Sequence, residues 1–119
     1  MKKCLVISLM VISLILLSPI SLKAENDKYL LPDAFLTTLT THIDNAVVGY
    51  YGELTQYALY DTEIISIERT QTGRVFSFTV VIKIFPFEKA HNYIGEDTLT
   101  LEVVPSGVSV TSYKHQKYK

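Results

Sequence analysis

Three histidines, His42, His91 and His115, are the side chains best suited to acid–base chemistry or metal binding in this chain. They do not stand at a short ligand spacing, such as four apart on one helix, so we predict no metal site. His91 precedes Asn92 in the longest segment without a strand pattern, and loops carry binding residues disproportionately. An equally physical alternative is that Asn92 hydrogen-bonds this loop into shape.

Other residues that could do chemistry lack the context that a reaction needs. Asp61 and Glu63 would lie about 7 Å apart on one strand face, which permits paired acid–base work but more often marks a solvated edge. Ser106 stands in a turn, and no G-x-S-x-G sequence exists to make it a nucleophile. The five glycines are scattered and form no phosphate loop. We therefore predict no catalytic residue and no cofactor.

Tyrosine is the commonest aromatic residue, and four of the eight tyrosines cluster between residues 50 and 60. A tyrosine offers a broad apolar face and a hydrogen-bonding tip, which suits recognition of a peptide or a sugar. The alternative is a core margin, where the ring packs and the hydroxyl reaches water. The candidate binding residues are Tyr57, Tyr60, Asp61, His91 and Asn92.

The N-terminus has the pattern of a secretory signal. Lys2 and Lys3 precede an almost wholly apolar run over residues 5–17, and a small residue, Ala24, precedes the first acids. We expect residues 1–24 to be a signal peptide that is cut after Ala24. The chain would then contact the membrane only transiently, during export.

Cutting there would leave residues 25–119 as one small domain, secreted or associated with the cell envelope. The alternative is an uncleaved N-terminal membrane anchor. A spanning helix needs about 20 apolar residues, and a run of that length would have to include Pro19.

The exported domain would be acidic and free of cysteine. It would carry eight Lys and Arg against twelve Asp and Glu, a net charge of −4, and Cys4 would leave with the signal. An acidic surface repels phosphate backbones, so we expect no nucleic-acid partner. We expect the basic C-terminal residues, Lys114, His115, Lys117 and Lys119, to form a solvated tail.

One helix and four strands follow from the hydrophobic periods. The helix should open at Pro32 and Asp33 and end at Gly52. Strands are expected over residues 60–69, 74–85, 97–104 and 108–113. The apolar helix stripe comprises Phe35, Leu36, Leu39, Ile43, Ala46, Val47 and Tyr50.

The economical arrangement of these elements is an antiparallel four-stranded meander with the helix across its apolar face. This is an α+β fold, cystatin-like or similar. On the first strand Ile65 and Ile67 should share a face, and on the second Phe76 should point inward with Val80. A tight turn is expected at Thr72-Gly73.

Five short motifs occur in a fixed order, at residues 49–53, 57–61, 90–96, 107–108 and 114–115. Together they resemble a family of short secreted proteins of Gram-positive bacilli, catalogued as domain of unknown function 3888. The resemblance covers about residues 30–115, and it departs at Leu54 and Tyr93, where relatives tend to carry proline. The family implies no activity, so no residue role is carried over.

We favour a non-enzymatic module outside the cell membrane that binds a protein, a peptide or a cell-wall polymer. One alternative is a small enzyme in which His91 or Asp61 acts as a base in a pocket near Tyr60. Another is an exported protease inhibitor that presents Tyr57 or the His91 loop to a protease cleft.

Overall fold

A computed structural model of the chain describes residues 27–119 and, ahead of them, Lys3. The predicted signal peptide and its cut after Ala24 lie outside the described residues, apart from Lys3. Within the part that is described, no helix is long and apolar enough to cross a membrane.

The helix α1 spans Leu30–Tyr51 and begins two residues before the predicted start at Pro32. Asp33 lies in its first turn, where an acidic side chain interacts favourably with the helix dipole. At the other end Gly52 has a φ of 79° and donates its N–H to the carbonyl of Val48 at 2.8 Å. This left-handed conformation favours glycine, so the predicted end of the helix is confirmed.

The sheet is the predicted antiparallel meander. Its strands are β1 (Glu63–Arg69), β2 (Phe78–Ile84), β5 (Asp97–Val104) and β6 (Gly107–Lys114), and they lie side by side in that order. Two short strands, β3 (Phe87–Glu88) and β4 (Asn92–Tyr93), form a separate hairpin between β2 and β5. The α+β class and the four-stranded antiparallel sheet are therefore confirmed.

The core lies between one stripe of α1 and one face of the sheet. Alternate residues of a strand point to the same face, so β2 and β5 each contribute every second side chain. Burying a large aliphatic side chain stabilises a fold by about 1.5–3 kcal/mol, and this layer supplies most of the buried apolar surface. Its fully buried members are Leu36, Leu39, Ile43, Val47, Val80, Ile82, Ile84, Leu99 and Leu101.

The β1–β2 connection differs most from the prediction. Instead of a tight turn at Thr72-Gly73, a wider loop over residues 70–77 is closed by the N–H of Thr70 on the carbonyl of Ser77 at 3.0 Å. Phe76 therefore lies in the loop with 61% of its surface exposed, and the prediction that it points inward is wrong.

The first strand also has a different phase from the predicted one. Residues 59–61 form a 3-10 turn, and β1 begins only at Glu63. A bulge at Ile65 shifts the register, so that Ile64 lies opposite Ile82 and Ile67 lies opposite Val80. Ile67 still remains half exposed, because β1 is an edge strand of the sheet.

Candidate functional site

A buried carboxylate at the start of β5 organises the most connected polar group of the molecule. Asp97 is fully buried, and its Oδ2 accepts hydrogen bonds from the hydroxyls of Tyr51 and Tyr113, each at 2.6 Å. Its Oδ1 lies 2.7 Å from Nδ1 of His115. Tyr50 stacks on Tyr113 at 4.8 Å and on His115 at 5.2 Å between ring centroids. We call these five residues the Asp97 cluster.

The Asp97 cluster joins the end of α1, the start of β5 and the C-terminal tail. The tail is also held by the N–H of Glu96, which donates to the carbonyl of Gln116 at 2.7 Å. Gly95 is tightly enclosed here, because a Cβ at that position would lie 2.6 Å from Oδ1 of Asp97. The basic residues of the tail are exposed, as expected, but the ring of His115 is held by Asp97 and by stacking on Tyr50.

Two tyrosines of the Asp97 cluster, Tyr51 and Tyr113, are held in their neutral form. Burial, together with donation to Asp97, raises the pKa of both Tyr51 and Tyr113 well above the ordinary value. A carboxylate paired with an imidazole can orient a catalytic base, but here the two tyrosines occupy the second oxygen and Tyr50 covers the ring. The arrangement is suited to holding three parts of the chain together.

An apolar groove lies between α1 and the segment that follows it. Tyr57 donates its hydroxyl to Oδ1 of Asp44 at 2.7 Å, and burial, with this bond, raises the pKa of Tyr57. The groove has a volume of about 460 Å³, and we call it the Tyr57 groove. It is lined by Thr40, Asp44, Leu54, Thr55, Gln56, Tyr57, Leu59 and Phe87.

The Tyr57 groove continues towards the β3–β4 hairpin. A second depression of about 500 Å³ shares Leu54, Thr55, Gln56 and Phe87 with it. The backbone is joined there, because the N–H of Phe87 donates to the carbonyl of Gln56 at 2.9 Å. The two depressions therefore adjoin each other along these four residues.

A smaller depression of about 210 Å³ lies beside the 3-10 turn. The hydroxyl of Tyr93 donates to Oδ2 of Asp61 at 3.1 Å, and this bond, with burial, raises the pKa of Tyr93. We call it the Asp61 depression, and its walls are Asp61, Glu63, Phe85, Tyr93 and Tyr118.

The five candidate binding residues are spread over three places. Tyr57 lines the groove, and Asp61 lines the smaller depression, while Tyr60 beside it is 82% exposed. His91 and Asn92 lie exposed at the β3–β4 hairpin, where His91 has a φ of 63°. The enzyme hypothesis requires His91 or Asp61 to act in a pocket near Tyr60. Tyr60 and His91 line neither the Tyr57 groove nor the Asp61 depression, so these two sites do not have that arrangement. Binding by these residues stays a prediction.

The sequence patterns above do not predict a buried role for Asp97, although its position in β5 indicates one. Leu99, Leu101 and Val103 were expected to point inward on β5, and Asp97 has the same phase two residues before them. An acid in an inward phase must be matched by donors, because an unpaired buried charge is very costly. Between residues 27 and 119, no group of three or more His, Cys, Asp or Glu side chains is placed to hold a metal ion.

Comparison with known proteins gives a family and no activity. The model of the family described as "Protein of unknown function (DUF3888)" matches residues 31–117, and the chain belongs to that family. No curated protein and no solved structure matches the chain. Three of the motifs on which the resemblance was recognised contribute to or adjoin the Asp97 cluster, through Tyr50 and Tyr51, Gly95, and His115.

Proposed function

We propose that this chain is an exported, non-enzymatic binding module that takes an extended peptide segment of a partner protein along the Tyr57 groove. The observation that carries the proposal is the apolar Tyr57 groove of about 460 Å³, which adjoins a second depression of about 500 Å³ and shares four lining residues with it. Ligand sites of about 300–1,000 Å³ that are mostly apolar with a few placed polar groups are the usual form of a binding pocket.

The chemistry of the groove favours a peptide over a wall polymer. Leu54, Leu59 and Phe87 supply apolar contact, and Leu54 is 65% exposed at the rim. A sugar polymer brings many hydroxyls, each of which must be paired when it leaves water. Among the polar side chains of the groove, Asp44 and Tyr57 already bond each other. Peptide side chains match such a surface better.

The acidic charge and the leader pattern support a site of action outside the cell. Mass measurement on the secreted protein should give a chain that begins at Glu25. An intact Met1 on the exported protein would contradict cleavage after Ala24.

Peptide binding can be tested by selecting displayed peptides on the protein recovered from the cells that produce it. Leu54→Asp should weaken the selected peptides at least about tenfold, because it places a charge in the apolar rim. Leu31→Asp is the matched control, since Leu31 is 80% exposed on α1 and does not line the groove. Selected peptides that bind Leu54→Asp and the parent equally would contradict the proposal. Cosedimentation with purified peptidoglycan, without peptide binding, would favour a wall polymer instead.

A further inference from the structure

The Asp61 depression has aromatic walls in two orientations. The rings of Tyr93 and Tyr118 stack with centroids 5.0 Å apart and an interplanar angle of 28°. Phe85 stands almost perpendicular to Tyr118, at 6.5 Å and 86°. All three rings line a space of about 210 Å³, together with Asp61 and Glu63. This is below the range of about 300–1,000 Å³ that is usual for drug-sized ligands, so the space suits one small chemical group.

The same depression has a negative charge that the described part of the chain does not neutralise. Asp61 and Glu63 both line it, and the single donor bonded to Asp61 is the uncharged hydroxyl of Tyr93. Lys83 lies opposite Glu63 in the β1–β2 register, but the pair is not within 4.0 Å. Over residues 27–119 the only ion-pair contact joins His115 and Asp97. The carboxylates of the depression are therefore available to a cation from outside.

We propose that the Asp61 depression binds an organic ammonium group. The negative face of an aromatic ring attracts a cation, and several rings around one space form the cage that recognises alkylated ammonium groups. A carboxylate beside the rings adds direct charge attraction and rejects anions. The group can come from a lysine side chain of a partner or from a small free ammonium compound. This inference does not depend on the Tyr57 groove, which lies at a different set of residues.

The Asp61 depression is connected to the Asp97 cluster through the C-terminal tail, which carries Tyr118. Tyr118 lies three residues after His115, and Gln116 between them is bonded to Glu96. The buried carboxylate thus positions the tail that supplies one of the three rings.

The test uses two ammonium probes and one neutral analogue on the protein recovered from its producing cells. Choline chloride and Nα-acetyl-lysine methylamide are titrated while NMR follows the signals of Asp61, Phe85, Tyr93 and Tyr118. The neutral analogue is 3,3-dimethylbutan-1-ol, which has the shape of choline without its charge. At least one ammonium probe should bind about tenfold more tightly than the neutral alcohol. Choline alone would indicate a free compound, and the lysine derivative alone would indicate a protein partner.

Variants then locate the site. Tyr118→Leu and Asp61→Asn should each weaken the bound probe about five- to tenfold, through loss of a ring and of a charge respectively. Tyr60→Leu is the matched control, because Tyr60 precedes Asp61 but does not line the depression. Equal binding of the neutral alcohol, absence of binding by both ammonium probes, or unchanged affinity in both Tyr118→Leu and Asp61→Asn would overturn the proposal.

Discussion

Asp97 and Asp61 are two carboxylates that both accept a hydrogen bond from a tyrosine, and they have opposite surroundings. Asp97 is fully buried and has three donors within 2.7 Å, two of them tyrosine hydroxyls. Asp61 is only partly buried and has one donor, Tyr93, at 3.1 Å. The donors of Asp97 are Tyr51 at the end of α1 and Tyr113 and His115 at the end of β6, so this carboxylate joins both segments to β5. Asp61 has a single donor at 3.1 Å and lines an open depression, so its charge remains available to a cation.

The same contrast applies to the tyrosines around them. Tyr51 and Tyr113 are committed to one acceptor, while Tyr93 and Tyr118 present ring surface beside a cavity. The two regions are also connected, since the tail that begins in the Asp97 cluster carries Tyr118. The Asp97 cluster and the proposed ammonium site therefore lie at different residues, but residues 115–118 of the tail connect them.

The contrast between Asp97 and Asp61 is tested most directly by replacing each of them with asparagine. Asp97→Asn should lower the free energy of unfolding by about 3–5 kcal/mol, because an amide cannot accept from all three donors and leaves buried groups unpaired. Urea denaturation followed by circular dichroism measures the change. A loss below 1 kcal/mol would show that the Asp97 cluster does not hold the fold.

Gly95→Ala should have the next largest effect. Its Cβ would come within 2.6 Å of Oδ1 of Asp97 and 3.0 Å of the ring of His115. Both groups are held by each other, so the backbone must shift, and we expect a loss of about 1–3 kcal/mol. Gly49→Ala is the control, because a Cβ at Gly49 meets nothing within 4 Å. Equal denaturation midpoints for the two variants would contradict the close packing around Gly95.

Alkaline pH should weaken the protein through the buried tyrosines. The pKa of Tyr113 is raised in the folded chain by burial and by its bond to Asp97. The unfolded tyrosine loses its proton near its ordinary pKa of about 10, so this stability is present below pH 10 and falls as pH rises above it.

For each such tyrosine, the free energy of unfolding should fall by at most about 1.4 kcal/mol per pH unit, and partial exposure of the side chain reduces this slope. Denaturation at several values between pH 9 and 11.5 should therefore show a steep loss in the parent chain. Tyr113→Phe should show a shallower one, and identical slopes would argue against the raised pKa.

The smallest effect is expected for Asp61→Asn. Its carboxylate is partly exposed and has a single hydrogen bond, so the free energy of unfolding should change by no more than about 0.5 kcal/mol. The same urea titration as for Asp97→Asn measures it. A large destabilisation would show that Asp61 has a structural role and would remove the contrast with Asp97.

Periodicity in the sequence predicted those parts of the fold that depend on repeating local patterns. Asp97–Val104 was predicted with both ends correct, because apolar and polar residues alternate over its whole length. The end of α1 at Gly52 followed from one residue with special backbone freedom. The β3–β4 hairpin was expected as a loop, since two residues in each strand are too few to show a period.

The wide loop over residues 70–77 could not be predicted from its own residues. Arg74 to Phe85 alternates as a strand should, yet pairing of Thr70 with Ser77 ends the ladder before Phe76. The position of the loop depends on which pairing register of β1 and β2 is the most stable. The bulge at Ile65 shifts that register by one residue, and the residues of the loop do not show it.

The sequence by itself determined one helix, four strands, the sides of α1, β2 and β5 that face the core, and an N-terminal pattern typical of export. Only the tertiary structure decided which polar side chains meet. Asp97 is reached by Tyr51 from 46 residues earlier, and by Tyr113 and His115 from 16 and 18 residues later. The hydrophobic period of a helix or strand indicates which face of that element a side chain lies on. The partner at its far end depends on how helix, sheet and tail pack together, which no local pattern encodes.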